Sequence, residues 1–351
     1  MKCARLIFFL LLFSITCVKV WGQDPVFSQF YSASMFLNPA LAADKQNTNF
    51  TLQHRTYTNI YSVYNLSQIT GVVPLKIKAL DILNSDHQSG AALTIYRVGA
   101  GKNGELVTLG VLGTFAHNIQ VLKSHYVSLG LQAGYVNIKQ GNNFKWGTQY
   151  DEYEGYDKTI IPSIGEIKLA SQFPTINAGA VWFMNNSSMK NFLQRYRFDA
   201  FAGISAFNIN RPNISFFNDE KSRLPVNWKI HGGIKTKISS KISLFPNMMY
   251  VRQNKDNQFV FGSYFIFKPK EFDDELAYNA IFGLWYSAGE SIIASIGSSY
   301  YNIKFAVSYD FLATNKFTMA GVGKGAFEAS LRYTLPTKKE QLSRGHVYPS
   351  F

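Results

Sequence analysis

The sequence predicts an all-β protein, a transmembrane antiparallel β-barrel of about fourteen strands with periplasmic or plugging tails at both ends. Three observations carry that expectation. Apolar and polar residues alternate with a period of two along much of the chain. Aromatic residues make up 15% of it, with 29 Phe and 20 Tyr, although overall hydropathy is near neutral. No apolar run of the roughly 18 residues that a spanning helix needs follows Gly22. A soluble domain buries its aromatics. A membrane barrel sets them on its lipid face and in interfacial girdles around a polar lumen, so near-neutral hydropathy is expected.

The alternation is clearest near the C-terminus. Ile303, Phe305, Val307, Tyr309 and Phe311 alternate with Lys304, Ala306, Ser308 and Asp310. Phe327, Ala329, Leu331, Tyr333 and Leu335 alternate with Glu328, Ser330, Arg332 and Thr334. Val127, Leu129, Leu131, Ala133 and Tyr135, and again Trp228, Ile230, Ile234 and Ile238, follow the same rule; Lys229 and His231 fall on the polar side. The period of two puts Phe305, Val307, Tyr309, Leu331 and Tyr333 against lipid, and Lys304, Asp310, Glu328 and Arg332 in the lumen.

Strands are expected near 47–57, 60–73, 89–98, 106–118, 123–138, 174–184, 196–208, 226–238, 241–252, 257–268, 276–287, 291–299, 303–312 and 324–335. Most reach the roughly 9–11 residues of a tilted spanning strand, and the even count closes a barrel with both ends in the periplasm. Strand parity then places the long connections 139–173, 209–225 and 313–323 outside, and the tight turns at Ser239–Ser240 and Tyr300–Asn302 in the periplasm. The connections 74–88 and 185–195 are longer than that pattern asks.

The chain divides into a cleaved signal peptide at 1–22, an N-terminal periplasmic or plug segment at 23–46, the barrel at 47–335 and a C-terminal periplasmic tail at 336–351. Lys2 and Arg5 open the signal, Leu6–Ile15 is its apolar run, and Val20 and Gly22 suit cleavage before Gln23. A lipoprotein signal ending at Cys17 is disfavoured, because Ser14 and Thr16 stand where such a signal wants an aliphatic and a small residue. Cys3 and Cys17 leave with the signal, so disulfides, zinc–thiolate sites and cysteine nucleophiles are excluded from the mature chain. Lys2, Arg5 and Lys19 leave too, and the net charge falls from +13 to +10. Without a basic run interleaved with aromatics, that balance points to lipid phosphates or an acidic partner rather than nucleic acid.

The sequence carries no recognisable catalytic or cofactor motif. His54, His87, His117, His125, His231 and His346 show no zinc-site spacing, and His231, on a polar strand face, suits a lumen hydrogen bond. Gly99-Ala100-Gly101-Lys102-Asn103-Gly104 formally matches a dinucleotide fingerprint, but the next segment reads as a strand, so a hairpin turn explains the glycines. No Gly-x-Ser-x-Gly elbow occurs, and nothing marks a serine for a barrel hydrolase. The expectation is a protein without cofactor or metal that is not an enzyme.

The most distinctive local chemistry is Tyr150, Asp151, Glu152, Tyr153, Glu154, Gly155, Tyr156 and Asp157, an acidic and tyrosine-rich stretch in the longest connection. The bland reading is a solvated loop tip. The sharper one is a partner-binding loop, since tyrosines give amphipathic area at low entropy cost. A calcium site ranks third, because the order of an EF-hand is missing. Glu271-Phe272-Asp273-Asp274-Glu275 reads as a charged rim.

The mature start, Gln23-Asp24-Pro25-Val26-Phe27-Ser28-Gln29-Phe30-Tyr31 followed by Leu37-Asn38-Pro39-Ala40, resembles the N-terminal signature of the PorP/SprF family of Bacteroidetes outer-membrane proteins. Ala43 stands where that signature has glycine. Asn210-Arg211-Pro212-Asn213, Arg223-Leu224-Pro225, Ser308-Tyr309-Asp310-Phe311 and Gly325-Ala326-Phe327-Glu328 are similar to further family segments, the first two leaning toward the SprF branch. Tyr348-Pro349-Ser350-Phe351 resembles a family ending that often has Cys before Pro. The resemblance implies an outer-membrane barrel that helps the type IX secretion system export or surface-attach a cargo protein or adhesin. Some members link to periplasmic or gliding machinery. It supplies no catalytic residues. A passive porin or small-solute channel is the competing class.

Overall fold

The computed structural model describes residues 26–44, 47–58, 63–75, 88–101, 105–122, 124–140, 147–153, 155–157, 170–185, 198–216, 222–239, 241–268, 278–312 and 325–335. The signal peptide, Gln23, Asp24, Pro25, Glu154, the acidic group at 271–275 and the tail at 336–351 lie outside them.

The strands are β1 (Asn49–Thr58), β2 (Val63–Leu75), β3 (Gln88–Ala100), β4 (Leu106–Leu122), β5 (His125–Gln140), β6 (Tyr150–Asp151), β7 (Gly155–Tyr156), β8 (Ala170–Asn185), β9 (Phe198–Phe207) and β10 (Asn227–Lys237). They continue as β11 (Ile242–Gln253), β12 (Asp256–Phe267), β13 (Asn279–Ser287), β14 (Ser291–Tyr300), β15 (Ile303–Leu312) and β16 (Gly325–Thr334). All but β6 and β7 form one closed antiparallel barrel of fourteen strands, in the order β1-β16-β15-β14-β13-β12-β11-β10-β9-β8-β5-β4-β3-β2. β1 closes it against β16, from Asn49 opposite Thr334 to Tyr57 opposite Ala326. Closure leaves no unpaired backbone edge, which in hydrocarbon would cost several kcal/mol per group.

Every expected strand is present with ends shifted by a few residues. One of the two largest shifts is instructive. β8 begins at Ala170 rather than 174, because Ala170–Phe173 pair with Val136–Lys139 of β5. Pro174 does not stop the strand. β9 pairs with β8 only from Ala178 onward, so a missing N–H at Pro174 breaks no ladder bond there.

The end that carries connections 141–169, 208–226 and 313–324 is here the upper mouth, and the end with the tight turns at 123–124 and 301–302 the lower. The period-two assignment holds on both C-terminal strands. Phe305, Tyr309, Leu331 and Tyr333 stand exposed on the outside and Val307 partly so, while Asp310, Glu328 and Arg332 are buried inside and Lys304 is half-buried. On β5, Leu131 is 66% exposed on the outer face between the buried Gly130 and Gln132.

The expected polar lumen is corrected along one arc. β11 to β14 turn Phe245, Met249, Val251, Val260, Tyr264, Ile266, Ile281, Trp285 and Ile293 inward, all buried. Along that arc much of the inner face is apolar, because it meets protein rather than water. The protein it meets is the N-terminal segment. Residues 26–44 lie inside the barrel, with a single helical turn α1 (Ser34–Leu37) and a 3-10 turn at Pro39–Asp44. Phe27, Met35, Leu37, Ala40 and Leu41 are each at most 2% exposed.

Candidate functional site

The filled lumen is the molecule's most elaborate arrangement, and the N-terminal segment crosses it like a beam. Its first part is held by β1, β15 and β16, and its second by β5, β8, β9 and β10. β1 and β10 are seven places apart in a ring of fourteen strands, so the two anchors face each other across the lumen.

The first anchor is ionic. Glu328 accepts the backbone N–H of Ser28 at 2.7 Å and of Gln29 at 3.0 Å, and the side-chain amide of Gln53 at 2.6 Å. Asp310 accepts the Ser28 hydroxyl at 2.6 Å. Arg55 pairs with Asp310 at 2.7 Å and with Glu328 at 3.7 Å, donates to the Val26 carbonyl at 2.9 Å, and also donates to the Tyr57 hydroxyl. The Gln29 side chain donates to the Ser308 hydroxyl at 3.2 Å and accepts from Ser330 at 2.7 Å. Farther down, Arg332 donates to the Ser32 carbonyl at 3.3 Å. Two carboxylates and a guanidinium buried together are held by one another and by the segment's own backbone, although Arg55 Nε and Asp310 Oδ1 have no hydrogen-bond partner among the described residues.

The second anchor rests mainly on neutral groups. The Asn38 side-chain amide donates to the carbonyls of Ala180 at 3.1 Å and Ile204 at 3.0 Å, and its nitrogen lies 3.2 Å from His231 Nε2. Ser128 donates to the Ala40 carbonyl and Ser205 to the Leu37 carbonyl, both at 2.7 Å. Lys229 adds a cation to this anchor, donating to the Phe36 carbonyl at 2.6 Å. Close approach here demands wall residues without side chains. A Cβ on Gly130 would lie 2.3 Å from the Ala40 nitrogen, and one on Gly179 2.0 Å from Asn38 Oδ1.

Between the anchors the beam is aromatic. Tyr31 packs on Phe201 and Phe245 at 5.7 and 5.5 Å between ring centres, and its hydroxyl donates to the Gly232 carbonyl. Phe36 bridges Phe27 and Tyr96 at 5.9 and 5.1 Å. A cavity of about 40 Å³ remains between Phe36, Tyr96, Phe207 and Lys229, room for water-sized guests only.

Of the residues singled out from sequence, Phe27, Ser28, Gln29, Asn38, Pro39 and Ala40 are therefore brought together in the lumen. The acidic tyrosine stretch is elsewhere, in the long upper connection, where β6 and β7 form a small hairpin that the alternation pattern does not mark. Tyr150 and Tyr153 are 63% and 95% exposed, and Asp151 and Glu152 are exposed beside them. Tyr156 differs: it is half-buried and donates to the Gln149 side chain at 2.8 Å. Asp151 accepts the Tyr153 N–H at 2.7 Å, which fixes the turn. Among the described residues no group of three potential metal ligands gathers. The alternation puts Ser128 on the inner face of its strand, but nothing local to Arg55, Gln53, Ser128 or Ser205 records the segment each one meets.

A model of the family described as type IX secretion system membrane protein PorP/SprF matches residues 20–333. The chain belongs to that family. The match takes in the crossing segment and nearly the whole barrel, and it places this PorP/SprF protein in the outer membrane. Two solved barrels are similar in fold. The toluene transporter TbuX of Ralstonia pickettii is 14% identical, with a TM-score of 0.53 over 88% of this chain and 94% of that one. A deltaS2 mutant of the TodX monoaromatic hydrocarbon channel is 8% identical, with a TM-score of 0.50 over 88% and 94%. At such identities the likeness shows the fold alone. No curated protein matches the sequence. Family and fold are those of outer-membrane secretion and transport proteins.

Proposed function

We propose that this PorP/SprF protein is a partner or anchor in the outer membrane for a cargo protein or adhesin exported by the type IX secretion system. The observation that carries the reading is the beam. A barrel whose lumen is crossed by a segment hydrogen-bonded to opposite walls offers no wide conduit, so a secretion-system barrel of this build acts through its mouths. The upper mouth bears the longest connections and is the outward one by strand parity. Tyr150, Asp151, Glu152, Tyr153 and Asp157 would meet the exported protein there, with Tyr156 bracing the hairpin. The lower mouth would face periplasmic components of the secretion or gliding machinery. Deleting the protein should remove one exported protein from the cell surface, as read by surface proteomics, while general secretion continues. An unchanged surface proteome would overturn the reading.

A small-solute channel is the second reading, supported by the fold shared with a toluene transporter and a hydrocarbon channel. Planar-bilayer recording separates the two. The anchor reading expects negligible conductance from the intact protein, and a steady open channel would favour the alternative.

A further inference from the structure

The described sides of the connection 208–226, residues 208–216 and 222–226, carry both arginine–proline segments of the sequence and are built against each other and against the barrel. Asn213 bridges to Arg223, the Ile214 N–H donates to the Ser222 carbonyl, and the Leu224 N–H donates to the Pro212 carbonyl. The side chain of Asn210 continues the barrel edge where β9 has ended. It accepts the Ile176 N–H at 3.1 Å and donates to the Pro174 carbonyl at 2.8 Å. On the other flank Gln253 donates to the Pro225 carbonyl. The underside is apolar: Pro212 is buried, and Ile214 and Leu224 pack on the cluster that contains Phe27 and Tyr96. The hairpin is thus folded inward over the lumen, away from the outer rim where lipid headgroups stand.

Its upper side is polar and cationic. Asn210, Arg211, Asn213 and Arg223 are exposed. Arg211 holds φ at 45°, a conformation rare for a residue with a side chain. Among the described residues no ion pair reaches either guanidinium.

We propose that Arg211 and Arg223 form a carboxylate-binding surface that captures an acidic segment of the exported protein at the upper mouth. The proposal rests on the anchor reading above and gives it a chemistry. The planar fork of a guanidinium suits a carboxylate, and two on a fixed backbone lose little freedom on binding. The inward fold of the hairpin favours a protein carboxylate over a lipid phosphate.

The test uses the full-length protein in detergent and a fluorescein-labelled oligoglutamate peptide, with oligoglutamine as control, followed by anisotropy. Oligoglutamate should bind and oligoglutamine should not. The R211Q/R223Q double variant should weaken binding by about tenfold or more, and R211K/R223K should recover part of it. Equal binding to wild type and the double glutamine variant overturns the surface. Displacement of the peptide by phosphatidylglycerol vesicles at lower concentration than by free glutamate peptide overturns the choice of carboxylate. Asp219 and Glu220, between these two segments in the sequence, lie outside the described residues. If D219N/E220Q binds oligoglutamate tenfold more tightly, the arginines are paired within the loop and the proposal falls. In cells, R211Q/R223Q should lower the same surface protein that deletion removes. Loss of that protein on deletion but not in the double variant overturns this surface and leaves the anchor reading standing.

Discussion

The two ends of the beam are fastened by different physics. At the β15–β16–β1 wall, Glu328, Asp310 and Arg55 are buried charges whose balance depends on each other and on the backbone of Ser28 and Gln29. At the β5–β8–β9–β10 wall, Asn38, Ser128 and Ser205 make neutral bonds in a place shaped by missing side chains at Gly130 and Gly179. The first end is electrostatically all-or-none, since losing one charge strands the others in a medium that solvates them poorly. The second end is a sum of smaller terms that degrade one at a time. A segment held in both ways has fixed placement at the charged end and shape selection at the neutral end.

The comparison breaks most sharply at Glu328. Glu328→Leu leaves two backbone N–H groups and the Gln53 amide without their acceptor and removes one of the two carboxylates beside Arg55, and should cost about 3–5 kcal/mol in urea unfolding of the detergent-solubilised barrel. Adding Arg55→Met and Asp310→Leu should restore part of that loss. A triple variant weaker than the single one would show that the charges stabilise independently of one another. A control on the outer face comes next. Leu131→Arg, if it sits near the bilayer midplane, should cost roughly 2–4 kcal/mol in bilayer unfolding, with the beam untouched. A negligible cost would mean that this face of β5 does not meet lipid.

At the neutral end, Asn38→Ala removes the donor to two carbonyls and should cost about 1–3 kcal/mol, less than the charge deletion. Equal costs at the two ends would erase the distinction drawn above. The smallest effect on stability is expected outside the lumen. Replacing Tyr150, Tyr153 and Tyr156 with Ser should shift stability by no more than about 0.5 kcal/mol, because two of the three rings touch little. The exported partner's level on intact cells should nevertheless fall. Unchanged partner on a folded barrel, judged by heat-modifiable mobility, would exclude the β6–β7 hairpin as a contact and leave the 208–226 hairpin.

How much of the beam was legible differs between its parts. Its sequence stood out as the motif Phe27-Ser28-Gln29 and Asn38-Pro39-Ala40, and the lumenal position of Asp310, Glu328 and Arg332 followed from alternation. That Glu328 would accept two N–H groups from residues 28 and 29, some 300 positions away, was not readable, because nothing local to either segment records the other. One trace of the beam was present but unread. From Phe259 to Phe267 the sequence is apolar at nearly every position, where a water-filled lumen would want alternation. The inward members, Val260, Tyr264 and Ile266, are buried in the lumen cluster.

By itself the sequence determined the strands, their two faces and the closed antiparallel class, because a period of two is a local consequence of the pleat and lipid demands an apolar outer face. It also marked the crossing segment as unusual. The tertiary structure alone decided that this segment spans the lumen between opposite walls, that Gly130 and Gly179 make room for it, and that Arg211 and Arg223 come to share one surface. The reason is the range of the interactions. Pleat and hydropathy act between neighbours along a strand, whereas an ion cluster, a close backbone approach and a shared surface exist only after distant strands have been closed into a ring.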